Sequence, residues 1–187
     1  MASQGKGARD KGSGYERTVA KKFSDWWGGS FSRTPGSGSL HWGSDQRIAG
    51  DIVPPQGMDF PFVIECKKHE GWTIENVFLN TGEPKSWWQQ VVTDARRVKL
   101  VPMLIFSRNR AKDFIMLPYS KPLYNYLQTL TTNCLSDGYV TFKNIRDEEQ
   151  TFRVLVTTLD VLSQIDPDGL RHLLKGIDWD PYAEDYE

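Results

Sequence analysis

The sequence predicts an α/β fold, a mixed central β-sheet flanked by helices, with an α+β extension at its C-terminal end. Three observations carry this. Residues 60–106 read as an apolar strand, an amphipathic helix and a second apolar strand, the order that gives parallel strands joined by a crossover helix. Residues 14–27 place Val19, Ala20, Phe23, Trp26 and Trp27 at helical spacing. Residues 118–177 then continue with further helical and strand-like segments rather than a polar linker.

Taken in order, residues 1–13 are rich in Gly, Ser and Lys and read as a flexible basic arm. The first helix should span residues 14–27 and stop at Gly28-Gly29. A short strand at 30–33 precedes a Gly/Ser loop and a polar stretch to Gly50. Asp51-Ile-Val53 begins a strand broken by Pro54-Pro55, and residues 60–67 form the next. A helix over 84–98 opens on a proline near its first turn. Strands follow at 101–106 and 114–117, closing a core that spans 14–117. The extension, 118–177, holds a helix near 123–130, a strand near 139–145, a strand or helix over 152–162 and a helical turn at 170–174. Residues 178–187 form an acidic tail. No internal repeat is present.

Composition narrows the chemistry. The 187 residues are 39% hydrophobic and 12% aromatic, enough for a core. No run of about 18 apolar residues suggests a membrane span, and the N-terminus lacks the apolar segment of a secretory signal. The expected location is therefore cytoplasmic. Two cysteines make no disulfide framework, and the three histidines have no zinc-ligand spacing. The net charge of −1 hides an asymmetry: residues 1–100 hold 14 Lys+Arg against 11 Asp+Glu, so the acidity lies in the C-terminal half.

The informative cluster is Ile64-Glu65-Cys66-Lys67. In a strand, Glu65 and Lys67 project from one face. An acid and an ammonium in an apolar strand call for pairing or a metal. A hairpin centred on Met58 would set Asp51 opposite Glu65, with Ile52 facing Ile64 and Val53 facing Val63. Two facing carboxylates repel unless a cation lies between them. A hard divalent ion, Mg²⁺ with Mn²⁺ as substitute, fits oxygen ligands. Glu16 shares a helical stripe with Ala20, Phe23 and Trp27, so a third carboxylate could reach the same pocket. Carboxylate-held metal and a nearby lysine suit phosphodiester hydrolysis. Glu-x-Lys triplets also occur on ordinary solvated strands, so spacing alone leaves both readings open.

Four segments, in this order, carry a likeness. Lys11-Gly-Ser-Gly-Tyr-Glu16-Arg17 opens the first helix; Phe31-Ser-Arg33-Thr-Pro-Gly36-Ser37 forms the strand and loop; Gly50-Asp51-Ile-Val53 and Val63-Ile-Glu65-Cys-Lys67 form the next two strands. Together they resemble the archaeal-type Holliday-junction resolvases, a branch of the PD-(D/E)xK, restriction-endonuclease-like nucleases. The resemblance implies a restriction-endonuclease-like sheet, Glu16, Asp51 and Glu65 as metal ligands, and Lys67 as the catalytic lysine. It also implies DNA contacts from Arg17, Arg33 and Ser37, and a polar residue on the crossover helix facing the site. Gln90 fits that place, although Gln89 is adjacent and a solvated helix face explains both. Lys6, Arg9 and Lys11 of the basic arm suit either DNA contact or a solubilising tail. The likeness covers residues 11–117. Residues 40–50 are an insertion before Asp51, and 118–187 extend beyond a minimal resolvase; both suit a phage-encoded version.

The expected function is Mg²⁺-dependent cleavage of branched double-stranded DNA, four-way junctions foremost. Paired cuts on two strands imply a two-fold homodimer. A nuclease for linear duplex or flaps, and a non-catalytic DNA-binding protein on the same fold, are the alternatives. Trp26-Trp27 and Trp87-Trp88 suit either core packing or base stacking. Arg96, Arg97 and Lys99 suit either phosphate contact or a solvated helix C-terminus. His69 is assigned no role, and the acidic tail is read as solvated, with DNA mimicry as the alternative.

Overall fold

A computed structural model describes residues 4–35 and 49–183. Helix α1 (Gln4–Trp27) leads into β1 (Ser32–Arg33) and β2 (Ile52–Val53), an antiparallel pair. Then come β3 (Phe62–Lys68), α2 (Ile74–Phe78), α3 (Glu83–Val98), β4 (Val101–Ser107), β5 (Phe114–Pro118) and α4 (Lys121–Leu130). The chain finishes with β6 (Ser136–Lys143), β7 (Glu149–Thr158), α5 (Leu159–Leu162) and α6 (Pro167–Leu174). The main sheet runs β3-β4-β5-β7-β6. β3 and β4 are parallel and joined by α3 as expected, while the other neighbours are antiparallel. The sheet is thus mixed and flanked by helices, with β6, β7 and three helices added from the C-terminal region, an architecture matching PD-(D/E)xK enzymes. No helix among the described residues is long and apolar enough to cross a membrane.

Strand periodicity sorts the core into two layers. Ile64, Met103, Ile105, Ile115, Leu117 and Leu155 face α1, α4, α5 and α6. Val63, Leu104, Phe106, Met116, Phe152 and Val154 face α3, whose Trp88, Val91, Val92 and Ala95 are fully buried. The tryptophan pairs belong to these layers. Trp27, Trp87 and Trp88 are buried, and half-buried Trp26 donates to the Ile165 carbonyl at 2.7 Å, so core packing is their role.

Three expectations need correction, and one element was not expected. Helix α1 starts at Gln4, not near residue 14, so the arm is helical from there: once a packed turn is formed, each further residue adds a hydrogen bond, against the cost of Gly12 and Gly14. Its end at Gly28-Gly29 is as expected, both in the left-handed region. The hairpin ladder between 51–53 and 63–65 does not form; β2 pairs with β1, because Pro54-Pro55 cannot extend a ladder. Helix α2 was unforeseen, being one turn defined by reciprocal capping between Thr73 and Asn76. The acidic tail is not solvated throughout. Asp180 is 8% exposed and takes a bidentate pair from Arg96, Nε at 2.7 Å and Nη2 at 2.8 Å, while the Tyr182 hydroxyl accepts from the Thr151 amide at 2.8 Å. This also gives a role to Arg96, one of the three cations that suited either phosphate contact or a solvated helix C-terminus.

Candidate active site

β3 is an edge strand. Phe62, Ile64 and Cys66 enter the layer beneath α1, so Val63, Glu65 and Lys67 point to the α3 side. Asp51 covers the free edge. Its backbone N–H donates to the Ile64 carbonyl at 2.7 Å, and its Oδ2 accepts from the Cys66 N–H at 2.8 Å. One residue thereby satisfies two main-chain groups that an edge strand leaves open. Gly50 permits this approach: its φ is +76°, and a Cβ there would lie 2.4 Å from the Ile64 carbonyl oxygen. The juxtaposition of Asp51 with Glu65 is thus reached by a different pairing from the one expected.

Glu65 is 3% exposed. Lys67 Nζ lies 2.6 Å from its Oε1 and donates to Gln90 Oε1 at 3.0 Å. Of the two candidate glutamines, Gln90 reaches the lysine, whereas Gln89 donates to the Lys143 carbonyl at 2.9 Å. Glu16 is buried on α1, and its Oε2 accepts from Arg33 Nε at 2.8 Å. Arg33 is therefore turned onto a carboxylate of the cluster. Arg17 is exposed on α1; Ser37 and the side chain of Lys11 lie outside the described residues. His69 rests against the Trp87 ring, centroids 5.3 Å apart.

The electrostatics show crowding of negative charge. Burial, then the charge of Asp51, push Glu65 up to about 7, with Lys67 pulling the other way. Burial pushes Asp51 up to about 6; the Cys66 N–H opposes this and Glu16 adds to it. Burial and the same carboxylates hold the Cys66 thiol well above its ordinary value, so it stays protonated and unreactive. Asp94, one turn beyond Gln90 on α3, is a residue the sequence reading missed. Its charge acts on Asp51, Glu65 and Lys67, and burial raises its own pKa. Its spacing of four from Gln90 on one helical face was the available signal.

Among the described residues, no three His, Cys, Asp or Glu side chains stand grouped as a metal site. Glu65 is engaged by Lys67 and Glu16 by Arg33. The donor chemistry nonetheless fits a hard divalent ion. Asp51 and Glu65 are adjacent oxygen donors whose ionisation is opposed by burial, and a dication would favour both charged forms.

Residues 7–172 match the family described as "Phage putative PDDEXK endonuclease". No curated protein and no solved structure matches the chain. The family match spans all four segments of the cluster and runs through β7 into α6. The chain belongs to this phage-associated endonuclease family of the PD-(D/E)xK superfamily.

Proposed function

We propose that the protein is a Mg²⁺-dependent, structure-selective DNA endonuclease that resolves four-way junctions by paired phosphodiester hydrolysis. The convergence of Asp51, Glu65 and Lys67 at the β3 edge carries the hydrolytic reading. Asp51, Glu65 and Glu16 would hold the ion, which supplies charge stabilisation at the phosphoryl group and a more acidic water; Mn²⁺ would substitute. Lys67, held by Gln90 as well as Glu65, keeps its ammonium at the cluster. There it orients the attacking water and offsets charge on the phosphoryl oxygens. Arg33 positions Glu16. Arg17, Ser37 and Lys11 are the proposed contacts to the phosphate backbone, which fix register without reading sequence.

The preference for junctions is supported by the four resolvase-like segments, and the two symmetric cuts it requires make a homodimer the natural assembly. The test is cleavage of a labelled four-way junction beside a matched linear duplex, in Mg²⁺ and in EDTA. Symmetric nicks confined to the junction and abolished by EDTA are expected. Equal cutting of both substrates would retain the nuclease and remove the junction preference. Tight junction binding with no cutting would favour a binding protein on a nuclease fold.

A further inference from the structure

A second cleft adjoins the cluster on the opposite face of β3. It encloses about 510 Å³ between residues 14–22 of α1, the end of β3 and the turn joining β4 to β5. Four cations line it, Lys22, Lys68, Arg108 and Arg110, against two carboxylates, Glu70 and Asp113. Both carboxylates are already engaged. Asp113 accepts from the Tyr15 hydroxyl at 2.8 Å and from Lys22 at 2.6 Å, and Glu70 accepts from the Asn109 amide at 2.9 Å. Three exposed cations have no carboxylate partner among the described residues. Lys68 sits over the Tyr15 ring, Arg108 over the Trp72 ring, and Arg110 is presented from a left-handed backbone position at φ 60°. Excess, unneutralised positive charge in a concave site is suited to an anion, and a non-glycine residue at positive φ marks a conformation held against its intrinsic preference.

The cleft and the cluster share two elements, α1 and the end of β3. Tyr15 and Lys68 in its wall are the chain neighbours of Glu16 and Lys67, about 3.8 Å away along the backbone. A DNA strand presents a phosphate about every 3.4 Å of helix rise. Lys68 alternates to the face of β3 opposite Lys67, so a strand with one phosphate at Glu65 and Lys67 reaches this cleft by passing around the end of β3.

We propose that Lys68, Arg108 and Arg110 form a phosphodiester-binding subsite that holds the DNA backbone a few nucleotides from the scissile bond. This rests on the nuclease reading above. Lys68 and Arg110 are the residues to change, because they are exposed and their side chains form no hydrogen bond or ion pair among the described residues, whereas Arg108 donates to the Trp72 carbonyl at 3.4 Å. The experiment measures binding of a fluorescein-labelled four-way junction by anisotropy in EDTA, from 50 to 300 mM salt. It compares the full chain, K68Q/R110Q, and the control K121Q/K175Q, which removes the same charge outside the cleft. Cleavage of the same DNA in Mg²⁺ is followed in parallel. Each lost phosphate contact lowers the slope of log K against log salt by about 0.9, so the cleft variant should lose about two from its slope and bind at least tenfold more weakly at 100 mM. The control should keep the wild-type slope. A cleft variant with unchanged slope, or a control that loses as much, overturns the subsite while wild-type cleavage leaves the nuclease reading standing. A wild-type chain that neither binds nor cuts the junction overturns both.

Discussion

Replacing Gly50 with alanine puts a methyl group 2.4 Å from the Ile64 carbonyl oxygen and 3.0 Å from Val63 Cγ1, on a backbone at φ +76°. The left-handed conformation alone costs a side-chain-bearing residue about 1–2 kcal/mol. Relieving the contact moves residue 50 away from β3, and two hydrogen bonds go with it. The Asp51 N–H to Ile64 bond contributes roughly 0.5–1.5 kcal/mol net, and the Cys66 N–H to a carboxylate about 1.5–3. The expected loss is therefore about 3–6 kcal/mol in urea unfolding, with Mn²⁺ affinity falling as well because Asp51 is displaced from Glu65. Gly57 is the matched control. It also has positive φ, at +81°, but a Cβ there meets nothing within 4 Å, so Gly57→Ala should cost only the conformational part, about 1–2 kcal/mol. Equal losses for the two variants, or a Gly50→Ala protein with wild-type Mn²⁺ affinity, would refute the role given to the Gly50–Ile64 approach.

Lys67→Ala should reduce single-turnover cleavage by about 10²–10³-fold while leaving DNA affinity within a few-fold, measured by quenched-flow and anisotropy. Metal-free stability should depend on pH through Glu65 and Asp51. Both pKa values are raised in the folded state, so the native protein holds more protons than the unfolded chain, and stability declines as pH rises from about 4 through 6 and 7. Each tenfold difference in proton affinity corresponds to about 1.4 kcal/mol, so thermal unfolding in EDTA should give a lower Tm at pH 8 than at pH 5, and Glu65→Gln should flatten the profile; a Tm that rises over this range contradicts the burial argument. Asp180→Ala leaves the largely buried Arg96 without its bidentate partner and should cost about 3 kcal/mol by chemical denaturation. A loss below 0.5 kcal/mol would mean the tail is not held in solution.

The parts of this molecule legible in the sequence are those governed by short periodicities. Alternation put Glu65 and Lys67 on one face of an apolar strand, helical spacing put Glu16 on the buried stripe of α1, and the strand–helix–strand order announced the parallel β3–β4 pair. Partner choice was less legible where the element is short. β2 has two residues and two possible neighbours, and symmetry about Met58 favoured β3, whereas the ladder formed with β1 and β3 receives the hydrogen bonds of Asp51 alone from this segment, through its N–H and its carboxylate. The acidic tail misled because a run of acids reads as solvated, and only the fold reveals that Arg96 stands opposite Asp180. Asp94 escaped notice for the same reason: an acid on an otherwise polar helix face gives no sign of its burial. The choice between Gln89 and Gln90 depended on the phase of α3 against β3, which a helical repeat gives only to within a residue.

The most direct test of a hydrolytic centre at the β3 edge is single-turnover cleavage of a labelled four-way junction at saturating protein, comparing wild type with Glu65→Gln. The substitution keeps size and removes one proposed metal-binding charge. Mg²⁺-dependent cutting by wild type, reduced by three orders of magnitude or more in the variant with DNA binding retained, is the predicted result. Cleavage by Glu65→Gln at the wild-type rate would place the chemistry elsewhere in the molecule.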